Sequence, residues 1–196
     1  SSVKAMGEGG DNLIYDENTI CQPEDAHGRS KFKAEIELEK IAGQKSLPVV
    51  ILRPPLMYGP NVKGNMASLI KLVRKMPMLP LGGLNNRRSF LGLKNFSSAV
   101  LAVLESERVN AGTYMLSDGE AISTSELIDR MIEVFAPGCR NITLPKAFWQ
   151  LLGKMPFLAA RVRRLSGSLA VDSSAFAREL SWQPPATMHE QFREML

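Results

Sequence analysis

The sequence predicts an α/β fold in which helices alternate with strands of a mainly parallel sheet. A helical pattern that begins at about His27 and stops at Gly43 leads directly into residues 47–52, an apolar run rich in β-branched side chains. Such a run is typical of a strand buried on both faces of a parallel sheet, and a helix leading into it is half of a β-α-β unit. A capping box at residues 123–126 predicts the start of a later helix.

The remaining elements are predicted from periodicity and turn residues. Residues 1–7 are expected to end a strand, and the prolines after Arg53 are expected to terminate the strand at 47–52. Helices are expected at 67–76, at 95–105, from Asp172 or Ser173 to Leu180, and after Pro185. Strands are expected at 87–93, 112–116, 141–145 and 168–171.

Composition is that of an ordinary globular protein. The 196 residues are 44% hydrophobic and 22% charged. No apolar run approaches the length of about 18 residues that suggests a membrane span, and the first residues show no signal-peptide pattern. Cys21 and Cys139 lie far apart, with no Cys-x-x-Cys or His-rich neighbourhood. We therefore expect two free thiols, no metal site and a cytoplasmic location.

Charge is spread unevenly along the chain. Residues 1–26 hold one base and six acids, whereas residues 140–164 hold six bases and no acid. The basic segment is explained either by a solvated surface or by contact with a phosphorylated small molecule, an anionic membrane or nucleic acid. No nucleic-acid motif is recognisable, so no nucleic-acid partner is expected. Residues 147–164 are amphipathic; core or lid is the favoured interpretation, and membrane-surface contact is the weaker alternative.

A candidate proton-transfer site lies at the start of the first helix. His27 and Lys31 are four residues apart, which places them on the same helix face. Their stripe continues through Leu38 and Ile41, so we expect it to face the protein interior. Together with Ser2 the pair could move a proton on or off an alcohol while a hydride moves elsewhere. By spacing alone, a solvated helix surface explains the pair as well.

A family resemblance extends over nearly the whole chain. The order Ser-Ser-Val-Lys-Ala-Met-Gly, His-Gly-Arg-Ser-Lys, Leu-Arg-Pro-Pro-Leu-Met-Tyr-Gly-Pro and Arg-Arg-Ser-Phe-Leu resembles the extended short-chain dehydrogenase/reductase family. Within that family the sequence is similar to the nucleotide-sugar epimerases, dehydratases and 4-keto-reductases of surface polysaccharide synthesis, which act on UDP-hexoses and UDP-N-acetylhexosamines. Residues 168–172 and 179–185 resemble the C-terminal pattern of the same group.

The resemblance implies catalytic and cofactor roles for four positions. Ser2 matches the serine that hydrogen-bonds the reacting sugar hydroxyl, and Lys31 matches the lysine that contacts the nicotinamide ribose of NAD or NADP. Pro54 lies in the turn that runs beside the nicotinamide. The acid–base residue of the family is a tyrosine, and the aligned residue here is His27. A neutral imidazole accepts protons, but it is shorter than a phenol and cannot cycle between donor and anion.

The resemblance also implies contacts with a UDP-sugar. Asn65 matches an asparagine near the sugar nucleotide, and Arg88, or Arg87 beside it, matches the arginine that holds the diphosphate. A guanidinium fork suits that task because it can donate two parallel hydrogen bonds. A solvated basic pair is the alternative for the two arginines. Arg164 is a weaker second candidate, based on the basic segment alone.

The resemblance implies a partial architecture. No Gly-x-Gly-x-x-Gly turn occurs, so we expect a partial Rossmann-like, doubly wound sheet that lacks its N-terminal dinucleotide-binding half, plus a small α+β substrate domain. Residues 1–60 are assigned to the Rossmann-like part. Residues 61–196 are assigned mainly to the substrate domain, with about 88–110 returning to the sheet. Relatives often form homodimers through the helix that carries the catalytic residues.

Two functional interpretations follow. The first is the C-terminal portion of an NAD(P)-dependent nucleotide-sugar epimerase, dehydratase or reductase, with little or no turnover of its own. The second is a catalytically silent relative that binds a sugar nucleotide or a protein partner, and His27 in place of tyrosine favours it.

Overall fold

The computed structural model describes residues 1–10, 13–107, 109–145, 148, 149, 155, 162 and 165–196, and helices and strands alternate along them. Their order is β1 (Ile14–Tyr15), α1 (Ala26–Lys45), β2 (Val50–Arg53), β3 (Leu56–Tyr58), α2 (Gly64–Lys75), β4 (Met78–Gly82), β5 (Phe90–Gly92), α3 (Leu93–Glu105), β6 (Gly112–Met115), α4 (Thr124–Phe135), β7 (Arg140–Thr143), β8 (Ala170–Val171), α5 (Ser174–Leu180) and α6 (Met188–Arg193).

The described strands pair in parallel, as the sequence predicts. β1 pairs with β8, β2 with β6, β3 with β5 and β4 with β7. Because parallel partners cannot be joined by a tight hairpin, each pair encloses a long stretch of chain that contains helices. The strands form separate two-stranded pairs instead of one wide sheet.

Helix α1 is longer than the sequence pattern predicts. Asp25 caps its first turn, since the Asp25 carboxylate accepts a hydrogen bond of 2.6 Å from the Gly28 amide. The prediction that Gly43 stops the helix is wrong. The left-handed residue that ends it is Ser46, with φ of 50°, and the Ser46 amide donates back to Ala42. The helix therefore ends at a left-handed serine three residues after the predicted stop.

The segments on either side of α1 also differ from the prediction. Residues Val3–Ala5 form a 3-10 turn capped by Ser2, so the expected strand end at residues 1–7 is wrong. Strand β2 begins only after Pro48, which has no amide hydrogen to donate. Ile51 and Arg53 of β2 are buried while Val50 and Leu52 are half-buried, so the expectation of full burial on both faces is met on one face only.

Three clusters of buried apolar side chains hold these elements together. The largest lies between α2, β4, α4 and α6, and the predicted capping box at Ser123 and Glu126 does start α4 there. A second cluster, of Val3, Met6, Tyr15, Met115, Leu169 and Val171, packs beneath the 3-10 turn. The third joins β5, α3, β6 and α5. Among the described residues, no helix is both long enough and apolar enough to cross a membrane.

Candidate active site

The start of α1 packs directly on the segment that follows Ser2. A Cβ atom on Gly28 would lie 2.2 Å from the carbonyl oxygen of Lys4, which is closer than any side chain could approach. Glycine at position 28 is therefore what allows the helix to contact the 3-10 turn. This contact brings the Ser2 segment beside the first turns of the helix that carries His27 and Lys31.

Pro54 is held against the same segment. The Val3 amide donates a 3.0 Å hydrogen bond to the Pro54 carbonyl oxygen. Ser2 is half-buried, and its hydroxyl accepts a hydrogen bond of 3.3 Å from the Lys4 amide. The structure therefore brings together the segments that carry three predicted site residues, Ser2, Lys31 and Pro54.

His27 and Lys31 do not face the interior, and this prediction is wrong. Both side chains are exposed, and Leu38 and Ile41 on the same stripe are each 46% exposed. The buried face of α1 carries Gly28 and Glu35 instead. At 3.6 residues per turn, His27 lies about 80–100° around the helix axis from these two residues, and Lys31 lies about 40–60° from them. His27 and Lys31 therefore form an open face next to the Ser2 segment.

A buried ion pair beneath this face was not predicted. Glu35 and Arg53 are 3% and 6% exposed, and the guanidinium of Arg53 contacts both carboxylate oxygens of Glu35. Burial alone would lower the pKa of Arg53, but hydrogen bonding and charge from Glu35 raise it above its ordinary value. The sequence did contain a signal. Arg53 lies two residues after Ile51 and therefore on the same face of an apolar strand. A charge on a buried face requires a partner.

The two candidate diphosphate-binding arginines differ in their surroundings. Arg87 is exposed, whereas Arg88 is half-buried and its Nη1 donates a 3.1 Å hydrogen bond to the Gly167 carbonyl oxygen. Burial lowers the pKa of the Arg88 guanidinium, and the charge of Glu8 opposes that shift. Arg88 also forms isolated backbone bridges to Ile122 and to Leu169. Arg88 thus has a structural role, and Arg87 is the more accessible of the two.

A chain of contacts links these arginines to the Ser2 segment. Gly9 has φ of 88°, and a Cβ atom there would lie 1.9 Å from the carbonyl oxygen of Ser168. The Ser168 hydroxyl accepts a 3.1 Å hydrogen bond from the Arg87 amide. Lys4 forms an ion pair with Glu8, one residue before Gly9. The loop after Ser2 therefore reaches the segment that supports Arg87.

Asn65 and Arg164 are not joined to this site by the described contacts. Asn65 is exposed in the first turn of α2, where Gly64 precedes it with φ of 69°. The described hydrogen bonds and ion pairs do not connect Asn65 with Ser2 or Lys31. Arg164 lies outside the described residues, as does most of the amphipathic segment 147–164.

A second buried polar network was also missed from the sequence. The Tyr58 hydroxyl donates a 2.6 Å hydrogen bond to Asp118, which also accepts from the Gly92 amide and from the Asn95 side chain. Gln191 in α6 donates to the Tyr58 hydroxyl at 3.3 Å. Burial raises the pKa of Asp118 and of Tyr58. This network ties α6 to β3, β5 and α3, and it lies apart from His27 and Lys31.

The exposed face suits a nicotinamide ribose. Among the described contacts, Lys31 takes part in no hydrogen bond or ion pair, so its ammonium group is available to ribose hydroxyls. Pro54 is buried, and its carbonyl oxygen accepts a hydrogen bond from the Val3 amide. Within the described residues, no group of three His, Cys, Asp or Glu side chains is arranged to hold a metal ion. Cys21 and Cys139 are free thiols.

Comparison with known proteins identifies the family. The sequence model of the NAD dependent epimerase/dehydratase family matches residues 1–116. A UDP-glucose 4-epimerase of Vibrio cholerae is 34% identical over 99% of this chain. The chain therefore belongs to the NAD dependent epimerase/dehydratase family, as the sequence motifs indicated. It spans 60% of the length of the Vibrio relative.

Solved structures confirm the Rossmann-like fold. RMD of Pseudomonas aeruginosa, complexed with NADPH, superposes with a TM-score of 0.75 and 19% identity over 99% of this chain and 62% of its own. A UDP-glucose 4-epimerase of Thermotoga maritima with UDP-glucose gives a TM-score of 0.72 and 18% identity over 100% of this chain and 60% of its own. The chain thus shares the fold of these solved structures.

Proposed function

We propose that this chain forms part of an NAD(P)-dependent enzyme that acts at a sugar carbon, C4, of a UDP-linked hexose through a keto intermediate. The observation that carries the proposal is the packing of the Ser2 segment against both α1 and Pro54. Ser2, Lys31 and Pro54 lie far apart in the sequence, yet two close contacts, Gly28 on Lys4 and Val3 on Pro54, bring their segments together.

Each residue then has a defined chemical task. The Ser2 hydroxyl hydrogen-bonds the reacting sugar hydroxyl, and His27 accepts its proton while the carbon loses a hydride. The nicotinamide, when bound, supplies the hydride acceptor or donor. Lys31 donates hydrogen bonds to the ribose hydroxyls. Return of the hydride to the carbon, together with return of the proton from His27 to the oxygen, reduces the keto sugar to the alcohol.

The diphosphate of the UDP-sugar is assigned to the two arginines. Arg87 is exposed and free to turn towards a ligand, while Arg88 fixes the segment on which both lie. A guanidinium binds phosphate oxygens in a bidentate manner. The assignment of Asn65 to the sugar nucleotide rests on the family pattern alone, and that of Arg164 rests on the basic segment alone.

Binding and turnover with a matched pair of variants test this function. Measured in a protein that also contains the dinucleotide-binding half, Lys31→Ala should abolish binding of NAD or NADP by calorimetry and interconversion of UDP-glucose and UDP-galactose. Lys33→Ala is the control, because Lys33 is also exposed on α1 but points to a different side of the helix. If Lys31→Ala behaves like the parent protein in both assays, the proposed site is wrong.

A catalytically silent relative that binds a sugar nucleotide or a protein partner is the second candidate. The identity of residue 27 favours it, since the family pattern aligns the exposed His27 with the acid–base tyrosine. His27→Tyr separates the two. A large gain in rate with tyrosine indicates a silent or weakened site, whereas equal rates mean that histidine serves as the base.

The division of the chain and its assembly are proposed on the same basis. We assign residues 1–60, with about 88–110, to the Rossmann-like part and the remainder to a substrate-binding part. A homodimer through α1 is supported by the exposed apolar side chains Ile36, Leu38 and Ile41. Light scattering of the protein and of its Leu38→Lys variant tests the dimer, which the added charge should dissociate. Cytoplasmic location remains a prediction.

A further inference from the structure

The buried pair of Glu35 and Arg53 links the two halves of the candidate active site. The Arg53 Nη2 atom lies 2.7 Å from Glu35 Oε2, and its Nε lies 3.0 Å from Glu35 Oε1. Glu35 is one helical turn after Lys31, and Arg53 immediately precedes Pro54. A bidentate contact of this kind fixes both the distance and the orientation of the two side chains.

The same guanidinium also reaches the segments before α1. Its Nη1 lies 2.8 Å from the Met6 sulfur, and its Nη2 lies 3.2 Å from the Cys21 sulfur. Met6 ends the turn that begins at Ser2, and Cys21 lies in the loop that leads into α1. Arg53 therefore contacts every segment that carries or flanks Ser2, Lys31 and Pro54.

Backbone hydrogen bonds join these segments at the same place. The Val3 amide donates to the Pro54 carbonyl at 3.0 Å, and the Gln22 amide donates to the Met6 carbonyl at 2.8 Å. Both hydrogen bonds lie within a few residues of an atom that Arg53 contacts. If Arg53 holds the segments in place, replacing Arg53 should weaken these two hydrogen bonds.

Stability alone does not explain a charged pair at this position. Removing two charges from water is costly, and well-packed apolar residues in their place are often equally stable or more stable. An apolar pair would fill the space, but it would not fix the rotation of α1 or the direction of the strand end. The bidentate geometry is what the ion pair adds.

We propose that Glu35 and Arg53 are positioning residues that set where the Ser2 segment, the Lys31 face and Pro54 lie relative to one another. Neither side chain is placed to touch a substrate, since both are buried beneath the exposed face of α1. The catalytic meaning of this arrangement rests on the proposed function, whereas the positioning itself does not.

Amide hydrogen exchange on the 196-residue chain tests the positioning without any ligand. In Arg53→Lys the positive charge remains, but a single ammonium group cannot reach Glu35, Met6 and Cys21 together. We expect the Val3 and Gln22 amides to exchange at least about tenfold faster, while the Leu127 amide in α4 keeps its parent rate. Glu35→Gln should give the same local effect.

A control variant shows whether any loss of charge on α1 has the same effect, and a second variant is used if Arg53→Lys does not fold. Glu37→Gln removes a carboxylate from the same helix, where Glu37 forms an exposed pair with Lys40 at 2.7 Å, and should leave both amides unchanged. If Arg53→Lys does not fold, the double variant Glu35→Leu/Arg53→Met removes both charges and carries the same expectation. Parent exchange rates at Val3 and Gln22 in the folded variants would overturn the proposal. Equally faster exchange at the Leu127 amide would also overturn the proposal.

Turnover adds a second readout that a general loss of stability would not mimic. With UDP-sugar and NAD(P), Arg53→Lys should lower kcat by about tenfold to a hundredfold and leave KM within about twofold. A rise in KM at unchanged kcat would contradict a positioning role. If the 196-residue chain shows no turnover, as the first functional interpretation expects, the exchange experiment alone decides the positioning.

Discussion

Gly28 and Lys4 approach so closely that no side chain fits between them: a Cβ atom on Gly28 would lie 2.2 Å from the Lys4 carbonyl oxygen. Gly28→Ala must therefore push α1 away from the Ser2 segment. We expect a loss of about 1–3 kcal/mol in the free energy of unfolding, as for other overpacked sites. Urea denaturation measures it, and binding of NAD(P) should weaken as well.

Gly43→Ala on the same helix is the matched control. Gly43 is exposed in the helix interior, and a Cβ atom there meets nothing within 4 Å. Alanine should raise the free energy of unfolding by about 0.5–1 kcal/mol, because glycine loses more conformational entropy in a helix. Equal effects of the two substitutions would mean that the close contact at Gly28 is not what limits that position.

Asp118 should give the protein a distinctive pH dependence. Burial raises the pKa of its carboxyl group, against the hydrogen bonds from Asn95, Tyr58 and Gly92. The pKa of Asp118 in the folded state thus lies above the unfolded value of about 3.9. At pH values between these two pKa values, the folded state binds more protons than the unfolded state. The unfolding free energy therefore falls as pH rises through that window.

Asp118→Asn removes this titration, so the stability of the parent relative to the variant should be greatest below about pH 4 and should decline as pH rises. Urea titrations over a pH series measure the difference. A difference that increases with pH would mean that the hydrogen bonds to the carboxylate outweigh its burial.

The two adjacent arginines should separate stability from ligand binding. Arg88→Ala removes the 3.1 Å hydrogen bond to Gly167 and should cost about 1–3 kcal/mol of stability. Arg87→Ala, at an exposed position, should change stability by less than about 0.5 kcal/mol and yet weaken UDP binding. Denaturation and UDP calorimetry on both variants test this, and unchanged UDP affinity in Arg87→Ala would remove that residue from the site.

A double-mutant cycle on Glu35 and Arg53 should show strong coupling in stability. Arg53→Met alone leaves the Glu35 carboxylate buried without its partner and should cost about 3–5 kcal/mol. Adding Glu35→Leu should restore most of that loss. The exposed pair of Glu126 and Arg130, at 3.2 Å, is the control and should show a coupling of only about 0.5 kcal/mol. Additive effects at Glu35 and Arg53 would contradict a tight ion pair.

The capping-box signal in the sequence was reliable, whereas the helix stop at Gly43 and the signals that depend on distant contacts were not. The capping box at Ser123 starts α4 as predicted because a cap needs only neighbouring residues. The end of α1 was misplaced because glycine is common both inside helices and at their ends, and Ser46 took the left-handed position. The direction of the His27 stripe was misjudged because the buried face carries Gly28 and Glu35, which no hydrophobic pattern marks as interior.

The candidate site was predictable only in part for the same reason. Ser2, Lys31 and Pro54 could be named from family motifs, and their segments do meet. The Glu35–Arg53 pair has no motif in its spacing, because its partners come from a helix and a strand whose packing only the fold determines. Asn65 matches the family pattern, but its described contacts do not connect it with the site.

The pairing of β1 with β8 couples the loop before α1 to the opposite end of the sequence. Ile14 lies beside Ala170 and Tyr15 beside Val171. During synthesis, β1 emerges long before its partner and has an unsatisfied edge until nearly the whole chain is available. The Tyr15 loop therefore takes its final place late in folding. A chain that is cut before β8 keeps Ser2, Lys31 and Pro54 but leaves the Tyr15 loop without the strand that anchors it.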